Sequence, residues 1–188
     1  MNTMEFKQTI IKHLMMNNNT ELVHYTVQSN DDDTMLTIKS NHHKMRTIIT
    51  IQAYTDNMSN NDDENMEYAH VHAVLFTVEI PVSIISVNGF TDYKDDDYTI
   101  IDYRNSAYVS NVNDDDDVNM SESLLKHLMR ISNILNANLA FMNAYDAYTR
   151  AFNNKIAFSS RIRDSHDKLI EAGNQLIMSI NNLRRLSI

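Results

Sequence analysis

A chain of 188 residues with 43% hydrophobic content is long enough for one domain with a sizeable core, which excludes global disorder. Two glycines and one proline argue against glycine-rich loops that cradle phosphate, and the absence of cysteine excludes disulfides, thiolate catalysis and cysteine-bound metal centres. A net charge of −9 disfavours direct binding to nucleic acid. No apolar run approaches the ~20 residues of a membrane span and the N-terminus has no signal-peptide pattern, so a soluble, cytoplasmic protein without a cofactor is expected.

In chain order, Thr3 is a candidate cap for a first helix in which Phe6, Ile10 and Leu14 share a face, ending in Asn17-Asn18-Asn19. An amphipathic helix of this kind docks on a sheet edge or face. Strand candidates follow at Val23, Tyr25 and Val27, at Leu36 and Ile38, and from Met45 to Thr55. In the last, Thr47, Ile49 and Ile51 face one side, Ile48 and Tyr54 the other. The turns at Asn30-Asp31-Asp32-Asp33 and Asn41-His42-His43-Lys44 are short, which implies an antiparallel meander. Residues 56–65 read as an acidic polar loop. Ala69 to Ile80 is the strongest strand, with Val71 and Leu75 on one face and Val74, Phe76 and Val78 on the other, and Pro81 ends it or puts it at an edge. Val82 to Val87, a turn at Asn88-Gly89 and Tyr98 to Tyr103 read as a further hairpin or edge pair. Residues 104–118 read as an exposed acidic linker.

Asn119 is a candidate cap, with Glu122 three places on, for a helix striped by Leu124, Leu128, Ile131 and Leu135. Asp164 is a candidate cap for the last helix, with Asp167 in its first turn, a stripe of Leu169, Leu176, Ile180 and Leu183, and Arg184-Arg185 at its C-terminal end. Two readings compete between them. A helical seam through Met142, Tyr145, Thr149, Phe152 and Ile156 makes one very long coiled coil, with Asn138 and Thr149 in the seam. Alternatively, Leu139-Ala140-Phe141-Met142 is a strand leading into a hairpin across Asn153-Asn154-Lys155, with Tyr148, Phe152, Ile156 and Phe158 on one face. The hairpin is the favoured reading over 139–163. The expected fold is then a single α+β domain over 1–188. It has an antiparallel sheet of five or more strands, an N-terminal helix and two helices in the C-terminal half, in the order α-βββ(ββ)-α-ββ-α.

With the run Ile131-Ser132-Asn133-Ile134-Leu135-Asn136-Ala137-Asn138-Leu139-Ala140-Phe141, this order resembles the YbjN-like (sensory-transduction-regulator) domains, whose fold is similar to class I type III secretion chaperones. In those domains an apolar helix passes through a pair of asparagines into a strand, a hairpin and a closing helix. The resemblance implies a non-enzymatic homodimer that binds another protein chain on a sheet or helix surface. The chain departs from the pattern in its acidic loops and extra strands between Pro81 and Val118 and in its lack of turn glycines.

Few residues carry candidate chemistry. His70 and His72 have metal-ligand spacing, with Glu67 or Asp62 as further oxygen donors, although a wetter end of a central strand explains the pair as well. His42-His43, in a predicted turn, lacks a paired nucleophile and orienting acid, and His166, with Asp164 and Asp167 close in sequence, reads as a packed or surface residue rather than a general base. Asp31–Asp33, Asp62-Asp63-Glu64, Asp95-Asp96-Asp97 and Asp114-Asp115-Asp116-Asp117 read first as solvated loop tips.

Three functional readings follow. The leading one is a regulatory or chaperone-like protein that contacts another protein through the sheet face of Val74, Phe76 and Val78, or through the helix of residues 119–138. The alternative is a phage- or mobile-element-encoded, anti-CRISPR-like inhibitor whose Asp95–Asp97 and Asp114–Asp117 occupy a basic groove of a nucleic-acid enzyme. The third is a metal-binding protein built on His70 and His72.

Overall fold

The computed structural model describes residues 3–16, 24–31, 34–42, 47–56, 70–81, 98–101, 107–108, 122–154 and 159–187. Four main strands form an antiparallel meander: β1 (Tyr25–Ser29), β2 (Met35–Ser40), β3 (Ile48–Asp56) and β4 (His70–Pro81). Two short strands, β5 (Tyr98–Ile101) and β6 (Ala107–Tyr108), pair with separate stretches of β4's other side. The helices are α1 (Thr3–Met16), α2 (Glu122–Asn153) and α3 (Ser159–Arg184), followed by a 3-10 turn at Arg185–Ser187.

Period-two alternation accounts for the sheet. Leu36 and Ile38 on β2, Thr47, Ile49, Ile51 and Ala53 along β3, and Val74, Phe76 and Val78 on β4 point to one face and are buried. Thr37, Ile48, Thr50, Gln52, Leu75 and Thr77 on the other face keep part of their surface, and Met35 and Tyr54 are exposed. Such one-sided burial is the usual state of an antiparallel sheet. The first turn is closed by Asn30, whose Oδ1 accepts from the Met35 amide (2.8 Å) and whose Nδ2 donates to Thr34 Oγ1 (2.8 Å).

One core runs under this face, where Phe6, Ile10 and Leu14 of α1 and Leu124, Leu128, Ile131 and Leu135 of α2 join the sheet residues. Leu169, Leu176, Ile180 and Leu183 of α3 complete it. The α3 helix packs along α2 at a point where only glycine fits comfortably. A Cβ on Gly173 would stand 3.2 Å from Cε2 of Phe141.

The α+β class, the antiparallel sheet and the three helices agree with the pattern of the sequence, but the element order does not. Leu139 to Asn153 is the continuation of α2, with no strand and no hairpin across Asn153-Asn154, and the chain then returns as α3. It is not one long coiled coil either, since the two helices pack on each other. Alanines at 137, 140, 144, 147 and 151, with no glycine or proline between 122 and 153, favour helix throughout. Asn138, an obstacle to a helical seam, is buried but fully engaged: its Oδ1 accepts from Thr47 Oγ1 (2.6 Å) and its Nδ2 donates to Tyr25 Oη (3.2 Å). Tyr25 Oη in turn donates to the Leu135 carbonyl (2.7 Å), and burial pushes the Tyr25 hydroxyl up to about 12, the Asn138 hydrogen bond only partly opposing it.

Asp164 lies inside α3, five residues past its start at Ser159, so neither it nor Asp167 belongs to the first turn. Asp56 ends β3 rather than opening a loop, and Ala107–Tyr108, inside the stretch read as linker, pairs with Ala73 and Val74. Between β3 and β4 the register runs regularly to Tyr54↔Ala73, and then Thr55 pairs with Val71. His72 is therefore an extra residue in a β-bulge, which turns Val71 onto the core face with Val74 rather than beside Leu75. Asn119, residues 57–69 and 82–97 and the rest of 104–118 lie outside the described residues.

Candidate interaction surface

Val74, Phe76 and Val78 have no accessible surface and so do not form a contact face. They are the floor of the core beneath α2, where the Phe76 ring stacks on His127 at 5.3 Å and 13°. His127 Nδ1 donates to the Ser123 carbonyl (2.7 Å), one turn back on the same helix, so this histidine is a packed core residue. The first half of α2, the other candidate contact surface, buries Leu124, His127, Leu128, Ile131, Ser132, Ile134, Leu135 and Asn138 and offers only its outer side.

His70 pairs with Asp56 at the end of the β3–β4 ladder, and His72 is the extra residue of the bulge. The side chains of both histidines lie outside the described residues, as do Asp62, Asp63 and Glu64. Among the described residues no three His, Cys, Asp or Glu side chains cluster as metal ligands. Asp95–Asp97 and Asp114–Asp117 also lie outside the described residues, so the charge-mimic reading has no described geometry.

The structure brings together a set of residues that local patterns do not connect. The described burial on α2 stops at Met142, and on α3 no residue before Leu169 is buried. The outer part of the helical hairpin therefore has no fully buried residue among those described, and Ala144, Tyr145 and Tyr148 pack partly buried against the core. Along it Phe152, 64% exposed, lies 6.0 Å from the ring of Tyr148, and Tyr148 lies 5.5 Å from His166 across the two helices. His42, after β2, reaches this region from 104 residues away: its Nε2 is 3.1 Å from Asp146 Oδ1, and its ring meets Tyr145 edge-on at 5.8 Å.

Arg150 anchors the polar side of the tip by donating from Nε to the Asp146 carbonyl (3.2 Å). It lines two clefts, one of about 570 Å³ with Asp146, Thr149, Asn153 and Asn154, and one of about 300 Å³ with Ala147, Ala151, Asn154, Arg161 and Ser165. Ser165 Oγ donates to the Arg161 carbonyl one turn back (2.9 Å), an ordinary helix back-bond. In a chain of net charge −9, Arg150, Arg161, Arg163 and Lys168 outnumber Asp146, Asp164 and Asp167 here. An exposed phenylalanine and arginine are among the residue types enriched at protein–protein contacts. The sequence signal that marks this tip is the run of tyrosines and phenylalanine after Met142, beyond the apolar stripe of the core.

No helix among the described residues is long and apolar enough to cross a membrane. No protein-family model matches the chain, and neither a curated protein nor a solved structure matches it.

Proposed function

We propose that this chain is a non-enzymatic, cytoplasmic regulatory protein that acts by binding another protein with the outer part of the α2–α3 hairpin. The observation that carries this reading is Phe152, an aromatic side chain 64% exposed next to the ring of Tyr148, on helices whose other ends are anchored in the core. A rigid aromatic with few rotamers gains contact area at low entropic cost, and arginine adds directional hydrogen bonds. The excess of basic groups at the tip suits a partner with an acidic or carbonyl-rich surface.

The test uses the full chain carrying a photo-crosslinking residue at Asn153, with and without Arg150→Ala and Phe152→Ala. The expected result is a discrete crosslinked protein that disappears in the double variant while the thermal transition stays in place. An identical crosslinking pattern in both forms removes the tip as the contact surface.

A further inference from the structure

We infer that β1 is an assembly edge at which two copies of this chain pair antiparallel across a two-fold axis, joining their sheets into one. The inference is independent of the tip and rests on how the two sides of the sheet are treated. On one side, among the described residues, β4 carries short pairings, four residues of β5 and two of β6, beside a bulge and Pro81, all devices that limit edge pairing. On the other side, among the described residues, the sheet ends at β1, Tyr-Thr-Val-Gln-Ser, which has no proline, no bulge and no charge.

The direction of the backbone groups follows from the ladder. The Asn30 amide donates to the Met35 carbonyl and the Asn41 amide donates to the His24 carbonyl, which fixes 30/35 and 24/41 as hydrogen-bonded pairs. In the observed register, alternation makes 26/39 and 28/37 the other bonded pairs. The N–H and C=O groups of Tyr25, Val27 and Ser29 therefore point away from β2, toward the outer edge.

A second copy satisfies those groups when the axis passes through Val27. Val27 then bonds Val27 of the second copy and Tyr25 bonds Ser29, so all three outward residues are used. Centring on Thr26 or Gln28 leaves one of them out. The core-face residues meet core-face residues, so the half-exposed Val27 side chains, already packed against the core, cover each other. On the open face Thr26 meets Gln28. Within the five paired residues no charged side chains meet. Five paired residues bury too little by themselves for a standard interface. On the side of α1 away from the core, Met4 and Met15 are exposed and Gln8, Ile11, Lys12 and Met15 line a groove of about 430 Å³, a second apolar surface on the helix that reaches this strand. The Lys7 ammonium donates to Ser29 Oγ (2.8 Å), which ties α1 to the end of this edge strand.

Sedimentation equilibrium of the full chain is expected to give twice the 21.8 kDa chain mass. Val27→Pro removes an outward N–H and leaves the β1–β2 ladder intact, so it is expected to give a folded monomer. Thr26→Pro removes a ladder N–H and is the control for simple unfolding. Because a proline variant can fail to fold, a charge pair provides a second arm. Thr26→Lys with Gln28→Lys sets like charges opposite each other at two symmetric places and is expected to raise the dimer Kd roughly tenfold. Thr26→Lys with Gln28→Glu sets opposite charges there and is expected to restore it. A monomeric wild-type chain, or a dimer whose Kd is the same in both charge variants, overturns the inference. Phe152→Ala leaves the dimer unchanged, so the tip and the edge fail separately.

Discussion

Thr47 Oγ1 donates to Asn138 Oδ1 at 2.6 Å, a buried contact between residues 91 positions apart that ties the start of β3 to the middle of α2. With Tyr25 it makes a continuous polar chain, Thr47 to Asn138 to Tyr25 to the Leu135 carbonyl, in which each of the three side chains has at least one partner inside the core. Removing one member leaves others desolvated and unpaired, which costs more than the hydrogen bond itself. Asn138→Ala is expected to destabilise the protein by about 2–4 kcal/mol and Thr47→Val by about 1–2 kcal/mol. Urea denaturation of the two singles and the double variant checks this, with a total for the double smaller than the sum of the singles.

Burial raises the Tyr25 hydroxyl to about 12, above the ~10 of an unfolded chain. The neutral phenol is the form the native state favours, so its contribution is complete below pH ~10 and is lost as pH rises from ~10 through ~12. Tyr25→Phe is expected to be less stable than wild type near neutral pH and to show a shallower loss of stability over this alkaline window. Denaturation midpoints of both proteins from pH 9 to pH 12 measure the difference, with a ceiling of roughly 3 kcal/mol.

The close approach of Gly173 to Phe141 makes the α2–α3 contact sensitive to volume. Gly173→Ala gains about 1 kcal/mol of helix propensity and loses a similar amount to the crowded ring, so little net change is expected. Gly173→Leu is expected to cost about 2–3 kcal/mol. Calorimetric melting of the pair checks the ordering, and Phe141→Leu in the Gly173→Leu background is expected to recover part of the loss.

Ser132 is 2% exposed and its Oγ has no hydrogen-bond partner among the described residues. Replacing it with alanine removes a desolvated hydroxyl and adds a better helix former. Ser132→Ala is expected to raise stability by about 0.5–1 kcal/mol, read as an upward shift of the thermal midpoint.

Phe152 separates contact from stability. It is mostly exposed on a part of α2 with no buried residue, so Phe152→Ala is expected to change the unfolding free energy by no more than about 0.5 kcal/mol. The same change abolishes partner crosslinking at the tip if Phe152 is an anchor of that contact. A loss of stability of several kcal/mol would identify it as a structural residue instead.

The elements whose pattern is local are legible in the residues themselves. Thr47, Ile49 and Ile51 alternate with Ile48 and Tyr54 because a strand turns over at every residue, and Phe6, Ile10 and Leu14 share a face because a helix does so every three or four. The same holds for Leu169, Leu176, Ile180 and Leu183. Composition alone excluded cysteine chemistry.

What local pattern leaves open is decided where distant segments meet. Leu139 to Asn153 satisfies both a helical and an alternating reading. The helix prevails because Thr47 and Tyr25 satisfy Asn138, and because Phe141 finds the one glycine of α3. The bulge that carries Val71 into the core exists only relative to its partner strand. Which face of the sheet is covered, and that His42 meets Asp146, depend likewise on how the helices lie across it. Periodicity records which residues avoid water; only packing determines which other residues they avoid it with, since hydrophobic burial carries no address of its own.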